Sequence, residues 1–381
     1  MDLFSFIMLG GGLAFFLYGM NVMSSGLERM AGGKLEGALR RMTSSLWKSL
    51  ALGAGITIAI QSSSAMTVML VGLVNSGIMD ISQTVGVIMG SNIGTTLTAW
   101  LLSLVGLETS NVALKLLKPE NFSLIFALVG AVMIMMGKQQ RKKDIGSIFV
   151  GFAVLMYGMK LMSNAVSPLA DAPEFASLLT AFENPLLGVL VGAVFTGIIQ
   201  SSAASVGVLQ ALALTGSITY GMAIPIIMGQ NIGTCVTALI SSIGVSRNAK
   251  KVAIIHISFN LIGTVVLLIV YYALDALLHF AFTGSPIDAA GIAFVHSVFN
   301  VVTTVMLLPF GKFLVRIANT LLKDKAENEP HHLLDERLLS TPSVAIAECD
   351  RLTNRMAEMA QATLMKAFAV SRSYDEAVSD S

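Results

Sequence analysis

The sequence predicts an all-α polytopic membrane protein made of two inverted-topology repeats, each with a re-entrant helical hairpin and a broken transmembrane helix. Three observations carry this. The 381 residues are 54% hydrophobic and 12% charged, with a mean hydropathy of +0.76, whereas soluble domains carry about 25% charged residues. Several continuous apolar runs approach the ~20 residues a helix needs to cross a bilayer, in place of the ~10-residue alternating segments of a membrane barrel. The chain also repeats itself: Gln61-Ser62-Ser63-Ser64 returns as Gln200-Ser201-Ser202, 139 positions later.

The net charge of +1 points to no nucleic-acid partner. Cys235 lies in an apolar segment and Cys349 in a polar tail, so no disulfide joins them. Met1–Met20 is apolar but has Asp2 where a signal peptide has a basic region; it reads as a retained first helix.

The first span is Leu3–Ser25, followed by a charged segment from Glu28 to Lys48. Leu50–Ser76 is interrupted by Gly53 and Gly55 and ends in the turn signal Asn75-Ser76-Gly77. Each of its arms is too short to cross, so it reads as a re-entrant hairpin. Ile81–Val105 is long enough to cross but contains Gly90-Ser91-Asn92-Ile93-Gly94-Thr95-Thr96. Unwound backbone at that depth is tolerated only against protein or a water-filled cavity, and the stretch predicts a break. Phe122–Gly137 is a third crossing, ended by the Lys138–Lys143 cluster.

The pattern then restarts. Gly151–Ser163 matches Gly12–Ser24, and Tyr157, Gln200 and Asn231 follow Tyr18, Gln61 and Asn92 in one register. Gly229-Gln230-Asn231-Ile232-Gly233-Thr234 repeats the glycine-rich stretch. Val252–Tyr272 and Ala289–Val315 close the membrane part, carrying His256 with Asn260 and His296 with Asn300 at helical i, i+4 spacing. These four read as interhelical hydrogen-bonding residues.

The basic segments, Arg29 to Lys48, Lys138–Lys143, Arg247 with Lys250 and Lys251, and Lys312 with Arg316, are expected in the cytoplasm. The loops with Asp171, Glu174 and Glu183 and with Asp275 and Asp288 are expected outside, as is the loop with Glu108, Lys115, Lys118 and Glu120. Three crossings precede the restart, so the second copy enters from the other side, as in many secondary transporters. The reading is seven crossings and two hairpins in the inner (cytoplasmic) membrane, N-terminus outside and C-terminus cytoplasmic. Its divisions are 1–138, first repeat; 139–272, second repeat; 273–320, an additional transmembrane helix; and 321–381, an incomplete cytoplasmic helical segment. In the last, Ala345–Val370 is an amphipathic helix needing a partner.

The hairpins and the predicted broken helices hold no Asp, Glu, Lys or Arg. Intramembrane charges usually mark ion pathways. Here neutral oxygens would suit a hard cation such as Na+, and helix N-termini could hold an anion. An anion so placed still needs a positive charge against its desolvation, which a co-bound Na+ would supply. A neutral polar solute is also compatible.

The paired Gln-Ser-Ser segments, each followed by Gly-x-Asn-Ile-Gly-Thr, resemble the type II sodium-dependent phosphate cotransporter family over about residues 1–320. The tail, His332 to Leu339 above all, looks like the start of the domain similar to the phosphate-uptake regulator PhoU in bacterial members. The resemblance implies Na+-coupled symport of inorganic phosphate by alternating access, with Na+ as a co-transported ion and no enzymatic activity. It implies phosphate at Gln61, Ser62, Ser63, Gln200, Ser201 and Ser202, and sodium at Ser64, Asn92, Thr95, Thr96, Asn231 and Thr234. Ala203 stands where the first copy has Ser64, and Cys235 where it has Thr96, so two hydroxyls are lost. Expected partners are phosphate, sodium and the lipid bilayer, with no nucleic acid; a homodimer is compatible. The rivals are a Na+ symporter of another oxyanion or small carboxylate, an intramembrane hydrolase using a Ser with His256 or His296, and a phosphate sensor signalling through the tail.

Overall fold

A computed structural model describes residues 3–31, 45–75, 77, 79–104, 119–168, 183–323, 339 and 342–372. In chain order the helices are α1 Leu3–Ala31, α2 Leu46–Ile60, α3 Ser63–Asn75, α4 Ile81–Ser103, α5 Pro119–Met136, α6 Gln140–Val166 and α7 Pro185–Ile199. They continue as α8 Ser202–Ala213, α9 Tyr220–Gly233, α10 Cys235–Ser241, α11 Arg247–Leu278, α12 Ala289–Leu307, α13 Gly311–Leu321 and α14 Pro342–Arg372. Six of the described spans are long and apolar enough to cross a membrane: α1, α4, α6, α9 with α10, α11, and α12 with α13. The third predicted crossing is shorter, an apolar helix over Phe122–Met136.

Local sequence sets where these helices start. Ser45 begins α2 by accepting the Lys48 N–H at 3.3 Å, Asn184 begins α7 with Pro185 behind it, and Asp288 begins α12 by accepting the Gly291 N–H at 2.6 Å. At the C-terminal end of α3, Asn75 Oδ1 accepts the Ser246 N–H at 2.9 Å and ties α3 to the start of α11.

Close helix pairs dominate the packing, and the same contacts recur 139 positions apart. α2 lies along α4. A β-carbon at Gly90 would come 2.8 Å from Ala54 N, and one at Gly94 would come 2.7 Å from Ala54 O. α7 lies along α9 in the same way: a β-carbon at Gly229 would come 2.8 Å from Val189 Cα, and one at Gly233 would strike Ala193 O. α1 and α6 run antiparallel. A β-carbon on Gly19 would meet Gly151 O at 2.6 Å, and one on Gly158 would meet Gly12 O at 2.7 Å. Moving each partner of one contact to its counterpart in the other copy gives the other contact. Such approach is what small residues allow between membrane helices. At one end of this pair Arg29 Nε donates to Asp144 Oδ1 at 2.7 Å.

Among the described residues four apolar clusters result, the smallest of which brings Ile224 and Met228 of α9 against Phe299 of α12. One joins α2, α3, α4, α11 and α13 and takes in Ala345 of α14. A second joins α8, α9 and α12, and a third α1, α6 and α8. α4 and the α9–α10 span lie innermost, 78% and 72% buried over their apolar windows, whereas α1 is 17% buried and peripheral.

The predicted break in the first copy is not there. α4 runs unbroken from Ile81 to Ser103, and its glycines face α2 instead of unwinding. In the second copy the helix is interrupted only at Thr234, whose φ of −58° and ψ of −27° stay helical. Glycine-rich polar composition thus reflects tight helix packing here. α14 covers the predicted tail helix and starts three residues earlier; Leu352 is buried, while Met356, Met359 and Leu364 are exposed. The predicted loop residues Lys34, Glu36, Arg40, Arg41, Glu108, Lys115, Lys118, Asp171 and Glu174, and the motif 332–338, lie outside the described residues.

Candidate functional site

Each short helix pair turns at its glutamine. Gln61 ends α2 with φ 54° and ψ 28°, and Gln200 ends α7 with φ 58° and ψ 22°. Left-handed backbone costs a non-glycine residue roughly 1–2 kcal/mol, and glycine would take the position at no such cost. A glutamine kept there in both copies argues that its side chain is needed.

The next residue starts the returning helix. Ser62 Oγ accepts the Ala65 N–H at 3.1 Å, and Ser201 Oγ accepts the Ala204 N–H at 3.2 Å. The N–H groups at the very start of α3 and α8, those of Ser63, Ser64, Ser202 and Ala203, have no intrahelical acceptor. Both helices aim the positive ends of their dipoles at the turns.

The two turns meet. Ser64 Oγ donates to the Gln200 carbonyl at 3.5 Å, and Ser201 Oγ reaches Met20 Sδ of α1 at 3.7 Å. Between them lies a cavity of about 390 Å3. Of the sequence-predicted site residues, Gln61, Ser62, Ser63, Ser64, Gln200, Ser201, Ser202 and Thr95 line it. Ala203 lines it too, where the first copy has a serine.

The other four predicted site residues are placed elsewhere. Asn92, Thr96, Asn231 and Thr234 are buried and do not line the cavity. Each bonds its own helix: Asn92 Nδ2 donates to Ile88 O at 3.0 Å, Asn231 Nδ2 to Ile227 O at 2.8 Å, Thr96 Oγ1 to Ile93 O at 2.7 Å, and Thr234 Oγ1 to Gln230 O at 3.0 Å.

Several lining residues were missed. Thr98 Oγ1 donates to Gln61 Oε1 at 2.8 Å while Gln61 Nε2 donates to Ile58 O at 2.7 Å, so the glutamine side chain is held at both ends. Thr57, just before the turn, bonds Ser91 Oγ at 2.8 Å. Asn21, Ser24, Ser25 and Glu28 of α1 also line the cavity. Their i, i+3, i+4, i+7 spacing places them on one helix face, a signal present in the sequence. Glu28 is the one ionisable side chain among the described lining residues.

The cavity is therefore walled by hydroxyls, amides and free N–H groups, with one carboxylate at the Arg29 end of α1. Such a wall can hold an anion on N–H and O–H donors and a hard cation on neutral oxygens. A second cavity of about 450 Å3, lined by apolar residues such as Ile224, Met228, Leu267 and Phe299, offers a charged solute little.

A family model described as Na+/Pi-cotransporter matches residues 15–164 and 154–283. YqeW of Bacillus subtilis, an uncharacterized protein, is 30% identical over 82% of this chain and 97% of its own length. YjbB of Escherichia coli, provisionally named for inorganic phosphate export, is 25% identical over 91% of this chain, which spans 62% of that relative's length. Sodium-dependent phosphate transport protein 2A of Rattus norvegicus is 36% identical over 25% of this chain and 15% of its own. No solved structure matches.

Proposed function

Because the chain belongs to the Na+/Pi-cotransporter family, we propose that it carries inorganic phosphate together with Na+ across the cytoplasmic membrane by alternating access. The observation that carries the reading is the meeting of the two Gln-Ser-Ser turns at one polar cavity, Ser64 Oγ on Gln200 O. The phosphate contacts we assign are Gln61, Ser62, Ser63, Gln200, Ser201 and Ser202, with the N–H groups of the two helix starts. Na+ supplies the positive charge that the wall lacks, so neither ion is well held alone. Ser64 and Thr95 are the sodium ligands we assign at the cavity wall. Asn92, Thr96, Asn231 and Thr234 are the further sodium ligands we assign; they give only N–H or O–H hydrogens to their own helix carbonyls, so their side-chain oxygens keep lone pairs for a cation.

In the same proposal the helix pairs α2–α3 and α7–α8 are re-entrant hairpins of two inverted repeats, 1–138 and 139–272, followed by a further crossing within 273–320. The seventh crossing is α5. The N-terminus lies outside, and the Arg29–Asp144 end of the α1–α6 pair faces the cytoplasm. The tail 321–381 is a cytoplasmic helical segment, and a PhoU-like domain is its proposed kind. The relatives' names cover both sodium-dependent phosphate transport and phosphate export, so the net direction follows the ion gradients.

Gln61→Ala and Gln200→Ala should each abolish Na+-dependent phosphate uptake into vesicles with expression intact. Normal uptake by both refutes the assignment. Competition by sulfate or succinate that matches competition by phosphate itself would transfer the reading to another anion.

A further inference from the structure

α1 turns one face to α6 and another to the cavity. Gly12, Gly19 and Gly26 press on α6, where added β-carbons would strike Met162, Leu155 and Ile148. Asn21, Ser24, Ser25 and Glu28 line the cavity instead. Ser201 of the second turn reaches Met20 Sδ at 3.7 Å. Glu28 lies eight residues further along α1, about 12 Å at the rise of a helix. It stands at the end where Arg29 pairs with Asp144, and Asn21, Ser24 and Ser25 fill the interval.

These side chains are not engaged by the protein. Thr67, Thr95, Thr96 and Ser103 each bond a carbonyl of their own helix, the usual fate of a hydroxyl there. Among the described residues, Asn21, Ser24, Ser25 and Glu28 make no side-chain hydrogen bond. Arg29, next to Glu28, gives its guanidinium to Asp144. Ser24 and Ser25 precede Glu28 by four and three residues, so they are its neighbours on the helix surface. Glu28 is half-buried, and a carboxylate in a membrane helix is costly without a partner. The residue 139 positions after it is Ser167, so the second copy has no such charge.

We propose that Glu28, Ser24 and Ser25 form a Na+ site at the Arg29 end of the cavity, separate from the ligands at the turns, and that the ion held there admits phosphate past the carboxylate. It rests on the transport reading above. One carboxylate among neutral oxygens matches a single positive charge, whereas calcium sites draw on several carboxylates. With this site empty, an entering phosphate meets a like charge within a Debye length, about 10 Å at 0.1 M salt. With Na+ in place the two charges cancel and the anion passes to the turns. Because Ser167 stands at the matching position, this part of the cation dependence comes from the first copy alone.

The test is equilibrium binding of radiolabelled phosphate to the purified full chain over a Na+ series at constant ionic strength, with choline as the replacing cation. Glu28→Gln should raise the half-saturating Na+ concentration by roughly three- to tenfold. In choline alone it should bind phosphate more tightly than the parent, a gain that a merely damaged cavity would not show. Glu28→Asp, which keeps the charge, should restore most of the parent's Na+ dependence. The double variant Ser24→Ala with Ser25→Ala should raise the half-saturating Na+ concentration without the gain in choline. If Glu28→Gln leaves the Na+ curve where the parent has it, the site is overturned and the transport reading stands. If the parent itself binds phosphate equally in Na+ and in choline, the transport reading fails and takes this proposal with it. Should Glu28→Gln not fold, as read by thermal unfolding, the double serine variant decides, and an unmoved Na+ curve there overturns the site.

Discussion

Gly53 and Gly55 stand two residues apart on α2, and replacing them with alanine should have opposite results. At Gly55 nothing lies within 4 Å of an added β-carbon, and its counterpart in the second copy is Val194, an exposed side chain. Gly55→Ala therefore gains only helix propensity, about 0.5–1 kcal/mol. At Gly53 a β-carbon would lie 2.8 Å from Val87 Cα and nearer still to the Val87 carbonyl oxygen, where real β-carbons stay beyond about 3.0 Å. α2 must then retreat from α4 by roughly 1 Å, and overpacking of this kind costs about 1–3 kcal/mol. The two variants should differ in stability by roughly that amount. The displacement also reaches the site, because α2 carries Gln61 at its end, where Thr98 of α4 holds it. Thermal unfolding in detergent should rank Gly55→Ala at or above the parent and Gly53→Ala below it. Na+-dependent phosphate uptake should persist in Gly55→Ala and fall at least tenfold in Gly53→Ala. A Gly53→Ala variant as stable and as active as Gly55→Ala would refute the packing argument.

Thr98→Val removes one hydrogen bond to Gln61 at nearly constant volume, a loss of about 0.5–1.5 kcal/mol; it should raise the phosphate KM by roughly two- to twelvefold, with Thr98→Ser near the parent. Arg29→Ala leaves the buried Asp144 with Gln140 Nε2 at 3.1 Å. Since Arg29 is half exposed, the expected loss is modest, about 1–2 kcal/mol, read by thermal unfolding. Cys349 is exposed and Cys235 buried, so a soluble maleimide should label one thiol in the folded protein and two after denaturation.

Much of the arrangement was legible because polar residues in apolar sequence are informative in pairs. Gln61 and Gln200 sit in one register and both adopt the left-handed turn. The arms flanking them are too short to cross, which marks the turns without any structure. The glycine-rich stretch of α4 was misread because composition alone does not distinguish glycines that unwind a helix from glycines that admit a neighbour. Gly90 and Gly94 do the second. Asn92 and Asn231 came as ligands from the resemblance alone; what the sequence does not announce is that each also bonds the carbonyl four residues back on its own helix. The α1 face was hidden by position. Asn21, Ser24, Ser25 and Glu28 run into the charged segment after the first span and read as its beginning, although their spacing marks a single face. The Thr98–Gln61 bond joins two elements of one copy, and no local pattern announces it.

In the proposed mechanism two uncharged polar turns hold an anion whose charge is balanced by the cation moving with it. Radiolabelled phosphate flux into proteoliposomes of the purified chain, under an inward Na+ gradient or an equal K+ gradient, decides it. Accumulation with Na+ and none with K+ is the predicted result. Phosphate entry at the same rate under both gradients would contradict it.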